Sequence, residues 1–252
     1  MTGLFNLALD GPRATITLDR PARHNVMDGA DLARFEELLQ RVERSPGLRV
    51  LVLTGAGEET FCAGYDIGRI AETDWRERPL ERALDRLEEL EIPTLCALNG
   101  SAYGGGADLA LACDLRVGRR GIEVRVPPAR LGVHYHVGGL RRFVERLGLG
   151  AAKRLILACE TMDDETLLEI GYLDYLVEPG ELGPRVEALA ETLAGLAPLA
   201  LRAMKRSLNQ IARGTLDAER AEAAMLACLE SRDAEEGARA FAEKRAPRFR
   251  GE

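Results

Sequence analysis

The sequence contains no C-x-x-C pair; its five cysteines, Cys62, Cys96, Cys113, Cys159 and Cys228, are scattered and odd in number. That pattern argues against a zinc site and against a disulfide framework, so no metal is expected and a reduced, cytoplasmic setting fits best. No apolar run reaches the roughly 18 residues that a membrane span requires. The first ten residues lack the basic-then-apolar order of a signal peptide. An excess of basic residues is also missing. With 34 Lys and Arg against 41 Asp and Glu the net charge is -7, and no basic patch interleaves with aromatics, which argues against nucleic-acid binding. Low-complexity segments and solenoid-length repeats are absent.

What remains is an ordinary globular composition, 46% hydrophobic and 30% charged over 252 residues, enough for one buried core with a helical appendage. Leu4–Leu9 and Ala14–Leu18 flank Asp10-Gly11-Pro12, a hairpin signal. Asp28 is placed to cap a helix whose Leu32, Phe35, Leu38, Leu39 and Val42 share one face. Strands are expected at Val50–Leu53, Thr94–Leu98 and Leu115–Val117, with helices at about Pro79–Glu91 and Gly105–Cys113. This alternation predicts an α/β fold. From about Ala151 the pattern becomes helix after helix, with Gly171, Gly195 and Gly214 as stops and amphipathic segments at Pro198–Arg213 and Asp217–Ser231. The expected division is a core domain at residues 1–195 and a C-terminal helical, oligomerisation region at residues 196–252.

Two segments carry the candidate chemistry. Thr60-Phe61-Cys62-Ala63-Gly64-Tyr65-Asp66-Ile67 follows a strand and is built of small residues that let backbone approach a ligand. Asn99-Gly100-Ser101-Ala102-Tyr103-Gly104-Gly105-Gly106-Ala107-Asp108 runs into an apolar helix. Free N–H groups at such a helix start favour developing negative charge. The G-x-G-x-x-G spacing of a dinucleotide site is absent.

Four stretches together resemble the crotonase (enoyl-CoA hydratase/isomerase) superfamily. They are Leu18-Asp19-Arg20-Pro21 with His24-Asn25-Val26-Met27, the run Phe61 to Ile67, the run Ile92 to Asp114, and Phe241-Ala242-Glu243-Lys244-Arg245. The resemblance implies a crotonase-like ββα spiral with a C-terminal helical region, assembled as a homotrimer or dimer of trimers. It implies an acyl-CoA substrate, with coenzyme A as carrier and no other cofactor. It also implies that the N–H groups of Tyr65 and Gly105 form an oxyanion hole for the thioester. Ala63, Asp66 and Ile67 would line the adenine and pantetheine path, and Phe241 and Lys244 would reach coenzyme A; Lys244 reads equally as a solvated helix-end lysine.

The sequence departs from the family where two-glutamate hydratases hold their acids. Asp108 stands at the first position, a carboxylate shorter by one methylene, and is the candidate general acid/base. Pro128, in Pro127-Pro128-Ala129-Arg130-Leu131-Gly132, stands at the second and cannot hold or protonate a water. Replacement groups are offered by Val133-His134-Tyr135-His136-Val137, which carries two of the three histidines; the alternative is a surface loop with a packed tyrosine. In an extended segment His134 and His136 would share one side and Tyr135 take the other. Tyr135 and His136 are candidates for substrate orientation or proton transfer, His134 less so.

Leu131 to Tyr135 also resembles a loop of methylmalonyl-CoA decarboxylase. The dienoyl-CoA isomerases and the chlorobenzoyl-CoA dehalogenase carry an aspartate near the position of His136, so neither of those chemistries is implied. Three functions follow: an enzyme of hydratase/isomerase type that stabilises a thioester enolate, a decarboxylase of a malonyl-type CoA ester, or a non-catalytic acyl-CoA-binding or assembly protein. Residues around Trp75 and Tyr103 are the expected shapers of an acyl pocket.

Overall fold

The computed structural model describes residues 3–252. Strands β1 (Phe5–Asp10) and β2 (Arg13–Leu18) form the antiparallel hairpin that the Asp10-Gly11-Pro12 turn predicts. Helix α1 (Gly29–Arg44) starts in a reciprocal cap: the Asp28 carboxylate accepts from the Asp31 N–H at 3.0 Å, and Asp31 accepts from Asp28 at 3.1 Å.

Three turns of a repeating unit follow. Each contributes one strand to a large sheet, one short strand to a small sheet, and a helix. The first is β3 (Val50–Gly55), β4 (Thr60–Cys62) and α2 (Pro79–Glu89); the second is β5 (Thr94–Leu98), β6 (Ser101–Tyr103) and α3 (Gly105–Leu111); the third is β7 (Leu115–Arg119), β8 (Glu123–Arg125) and α4 (Val137–Ile156). A last, reordered set comprises β9 (Thr161–Asp163), α5 (Asp164–Glu169) and β10 (Tyr175–Val177). The large sheet has the order β1-β2-β3-β5-β7-β10 and the small one β4-β6-β8-β9. Within each, the strands supplied by the three turns run parallel.

The central strands β3 and β5 of the large sheet are buried on both faces and read as continuous apolar runs, whereas β2 alternates and β1 is largely exposed. Leu51, Leu53, Cys96 and Leu98 face the main core beneath α1 to α4. Val50, Val52, Leu95, Ala97 and Val117 face the other way, onto Val186 and Ala190 of α6 (Leu182–Gly195).

Three helices close the described chain: α7 (Pro198–Ala212), α8 (Ala218–Leu229) and α9 (Arg232–Glu243). Helix α7 returns to the core, where Lys205 donates to the Ile92 carbonyl at 2.9 Å and Asn209 to that of Glu88 at 3.2 Å. The expectation of unbroken helices after Ala151 is corrected by β9 and β10. Both strands are only three residues long, too short to show a period of two against helical neighbours. Among the described residues no helix is long and apolar enough to cross a membrane.

Candidate active site

Residues 24–27 run alongside 63–66 and set the first loop. The Ala63 N–H donates to the His24 carbonyl at 2.9 Å, Met27 N–H to Gly64 at 2.8 Å, and Asp66 N–H to Met27 at 2.8 Å. The fully buried Asn25 ties this pair to the sheet. Its amide donates to the Ala56, Thr60 and Phe61 carbonyls at 3.0, 3.0 and 3.1 Å, and its oxygen accepts from Arg20 N–H at 2.9 Å. The pairing engages the Gly64 carbonyl and the Asp66 N–H and leaves the Tyr65 N–H unused.

The second loop packs directly on the first. Gly64, at φ 90°, has no room for a side chain: a Cβ there would lie 2.6 Å from the Tyr103 carbonyl oxygen and 3.1 Å from the Gly105 nitrogen. A Cβ on Gly106 would run into the Cys62 carbonyl. Gly105 is the first residue of α3, where an N–H has no intrahelical acceptor. Among the described residues, neither the Tyr65 N–H nor the Gly105 N–H has a hydrogen-bond acceptor. Leu80 and Met27 supply an apolar floor, 3.2 and 3.7 Å from where a Gly105 Cβ would stand.

Asp108, one turn into α3, is fully buried. Its Oδ1 accepts from Arg142 of α4 at 2.7 Å, and Arg142 is itself unexposed. Its Oδ2 faces His136 Nε2 at 2.8 Å, off the line of a proper hydrogen bond, and neither atom has another partner. Burial pushes the Asp108 carboxyl up, but Arg142 and then His136 outweigh it and hold it below the ordinary range. Asp108 is therefore a fixed, enclosed carboxylate, poorly suited to exchanging protons near neutral pH.

His136 is the N-cap of α4. Its Nδ1 accepts from the Gly139 N–H at 3.1 Å, which leaves the ring proton on Nε2, toward Asp108. Glu81 of α2 accepts from the next N–H, that of Gly138, at 3.0 Å, and pairs with Arg78 at 2.6 Å. Tyr135 is partly buried, and its hydroxyl donates to the Gly104 carbonyl at 3.1 Å. Burial, then the Asp108 charge, pushes its phenol well above the ordinary value, so it remains a donor. The Tyr135 and His136 rings stack at 4.8 Å in a loop without regular secondary structure, so the opposite-sided placement expected of an extended segment does not hold. His134 is exposed and its Nδ1 turns onto the Tyr135 carbonyl at 2.6 Å.

The structure thus brings together Ala63, Tyr65, Gly105, Asp108, Tyr135 and His136. Asp66 caps the short helical turn at residues 67–72, accepting from Gly68 N–H at 3.0 Å, and pairs with Arg23 at 2.8 Å, while Ile67 is 61% exposed. Phe241 stands 88% exposed on α9, and Lys244 closes that helix in the left-handed region at φ 55°. Trp75 packs edge-on against the Tyr65 ring at 4.9 Å, and Tyr103 donates to Glu123 at 3.0 Å. Pro128 lies buried in a helical turn at residues 128–131.

Sequence reading missed Arg142, Glu81 and Glu88. Glu88 is 3% exposed and lies within 4 Å of four guanidinium groups: Arg213 at 2.7 Å, Arg141 at 2.9 Å, Arg142 at 3.5 Å and Arg146 at 3.8 Å. The available signal was acidic residues on the apolar face of the Pro79–Glu89 helix, where Leu80, Ala83, Leu84 and Leu87 are buried beside Glu81 and Glu88.

The sequence model of the family described as enoyl-CoA hydratase/isomerase matches residues 13–252. The short-chain-enoyl-CoA hydratase of Clostridium acetobutylicum is 30% identical over 246 residues, 95% of this chain and 94% of that protein. The carnitinyl-CoA dehydratase of Proteus mirabilis is 33% identical over the full length of both. Among solved structures, an enoyl-CoA hydratase/carnithine racemase from Magnetospirillum magneticum superimposes with a TM-score of 0.93 at 27% identity, covering 100% of this chain and 97% of that one. Pseudomonas aeruginosa DspI does so with a TM-score of 0.90 at 33% identity, covering 99% and 97%.

Proposed function

This chain belongs to the enoyl-CoA hydratase/isomerase family and has the crotonase-like fold, and from that premise we propose that it binds an acyl-CoA thioester and stabilises negative charge on the thioester oxygen with the Tyr65 and Gly105 N–H groups. The observation that carries this reading is the packing of Gly64 on the Gly105 amide, beside two backbone donors that no protein group uses. Donors fixed before the reaction need no reorganisation when charge develops, and one such donor is worth about 3–4 kcal/mol in the transition state. Ala63, Asp66 and Ile67 are assigned to the coenzyme A path, and Phe241 and Lys244 to coenzyme A contacts made from the C-terminal helices.

The broad assignment is chemistry of hydratase/isomerase type. Two-carboxylate hydration is disfavoured, because Pro128 replaces one acid and Asp108 is locked to Arg142. That arrangement favours a second reading, decarboxylation of a malonyl-type thioester. There the bond to the departing carboxylate breaks, its electron pair enters the enolate, and a proton is added afterwards, so no base is needed to begin.

Incubation with crotonyl-CoA and, separately, methylmalonyl-CoA distinguishes these. Loss of the enoyl chromophore supports the first reading and release of carbon dioxide the second. Tight acyl-CoA binding with no turnover of a wider panel would leave an acyl-CoA-binding protein. Absence of acyl-CoA binding would overturn the proposal.

A further inference from the structure

The Gly104 carbonyl and the Gly105 N–H are two ends of one peptide group. That group is trans and planar, so its oxygen and hydrogen point in opposite directions. The Tyr135 hydroxyl holds the oxygen end at 3.1 Å. The N–H groups of Ala107 and Asp108 approach the same oxygen at 3.1 and 3.3 Å, from within α3 itself. Tyr135 is thus the donor that ties this peptide group to a different part of the chain, 31 residues away.

Tyr135 is in turn held firmly. Its ring stacks on His136, meets Phe143 edge-on at 6.0 Å, and sits over Gly139, where a Cβ would collide with it. The His136 cap on Gly139 fixes the backbone beneath that stack.

We infer that Tyr135 is a positioning residue that fixes the plane of the Gly104–Gly105 peptide group and strengthens its N–H as a donor, reaching the thioester only through that group. The inference rests on the proposed role of the Gly105 N–H. The physical basis is polarisation: a hydrogen bond to an amide oxygen draws electron density from the nitrogen. Bonds chained in this way strengthen one another by roughly 10–30% each. The tyrosine therefore serves the site without donating a proton to substrate, and its hydroxyl is already committed to the backbone.

The test uses the full chain and butanoyl-CoA labelled with carbon-13 at the thioester carbon, a saturated probe that is neither hydrated nor decarboxylated. Infrared difference spectra should show the carbonyl stretch lowered on binding to the wild-type protein. Tyr135→Phe should reduce that shift by roughly a fifth or more, with Kd changed by no more than about twofold. A purely structural role would leave the shift per bound ligand unchanged.

Should Tyr135→Phe fail to fold, 3-fluorotyrosine at position 135 keeps the ring and is a stronger donor, so it should enlarge the shift. A wild-type shift that Tyr135→Phe leaves intact, or that fluorination fails to enlarge, overturns this inference while leaving the oxyanion reading in place. The absence of any shift in the wild-type protein would overturn both.

Discussion

Asp108 and Arg142 meet at 2.7 Å with neither side chain exposed to solvent. The pair sits between the candidate oxyanion loop on α3 and the His136 loop that opens α4, so a group placed by sequence as a candidate acid/base is also part of the internal framework. Removing one partner of such a pair leaves a buried charge uncompensated. Arg142→Met should lower unfolding free energy by about 3–5 kcal/mol, measured by urea denaturation.

The same pair makes stability depend on pH. Asp108 and Glu88 both have folded-state pKa values below their ordinary ones: burial raises each, and it is more than reversed by Arg142 and His136 at Asp108 and by Arg142, Arg141 and Arg213 at Glu88. A depressed carboxylate contributes stability above its unfolded pKa and loses it as pH falls through the folded one. Stability should therefore hold near neutrality and decline below about pH 4, with Asp85, which burial pushes upward, working the other way. Denaturation midpoints for Asp108→Asn should fall less steeply with acid than those of the wild-type protein.

Gly64→Ala probes the contact between the two loops. The new methyl would lie 2.6 Å from the Tyr103 carbonyl oxygen at a backbone φ of 90°, which an L-residue adopts at a cost of about 1–2 kcal/mol. The loops must part, and butanoyl-CoA affinity by calorimetry should fall on the order of tenfold or more, while circular dichroism keeps its helical signal.

The fold was legible because its devices are local. Asp28 announces its helix, Thr94–Leu98 is bounded by Pro93 and Asn99-Gly100, and the two glycine-bearing loops fall where backbone must approach backbone. The internal charges were not legible, because they are made at long range: Arg142 is 34 residues from Asp108, and Glu88 is 125 from Arg213. Nor was the setting of His136, whose Nδ1 accepts from Gly139 N–H and whose Nε2 lies 2.8 Å from Asp108, a juxtaposition that exists only once α3 and α4 pack together.

Glu88 joins α7 to the core through Arg213 at 2.7 Å. Glu88→Gln removes the charge that four arginines share, so the amides of α7 should exchange hydrogen faster by mass spectrometry while those of β3 and β5, under the same core, remain protected.

The most direct test of the central claim is a crystal structure with butanoyl-CoA bound. The thioester oxygen should lie about 2.7–3.1 Å from both the Tyr65 and the Gly105 nitrogens. A carbonyl bound elsewhere, or in reach of only one of these amides, would contradict the account.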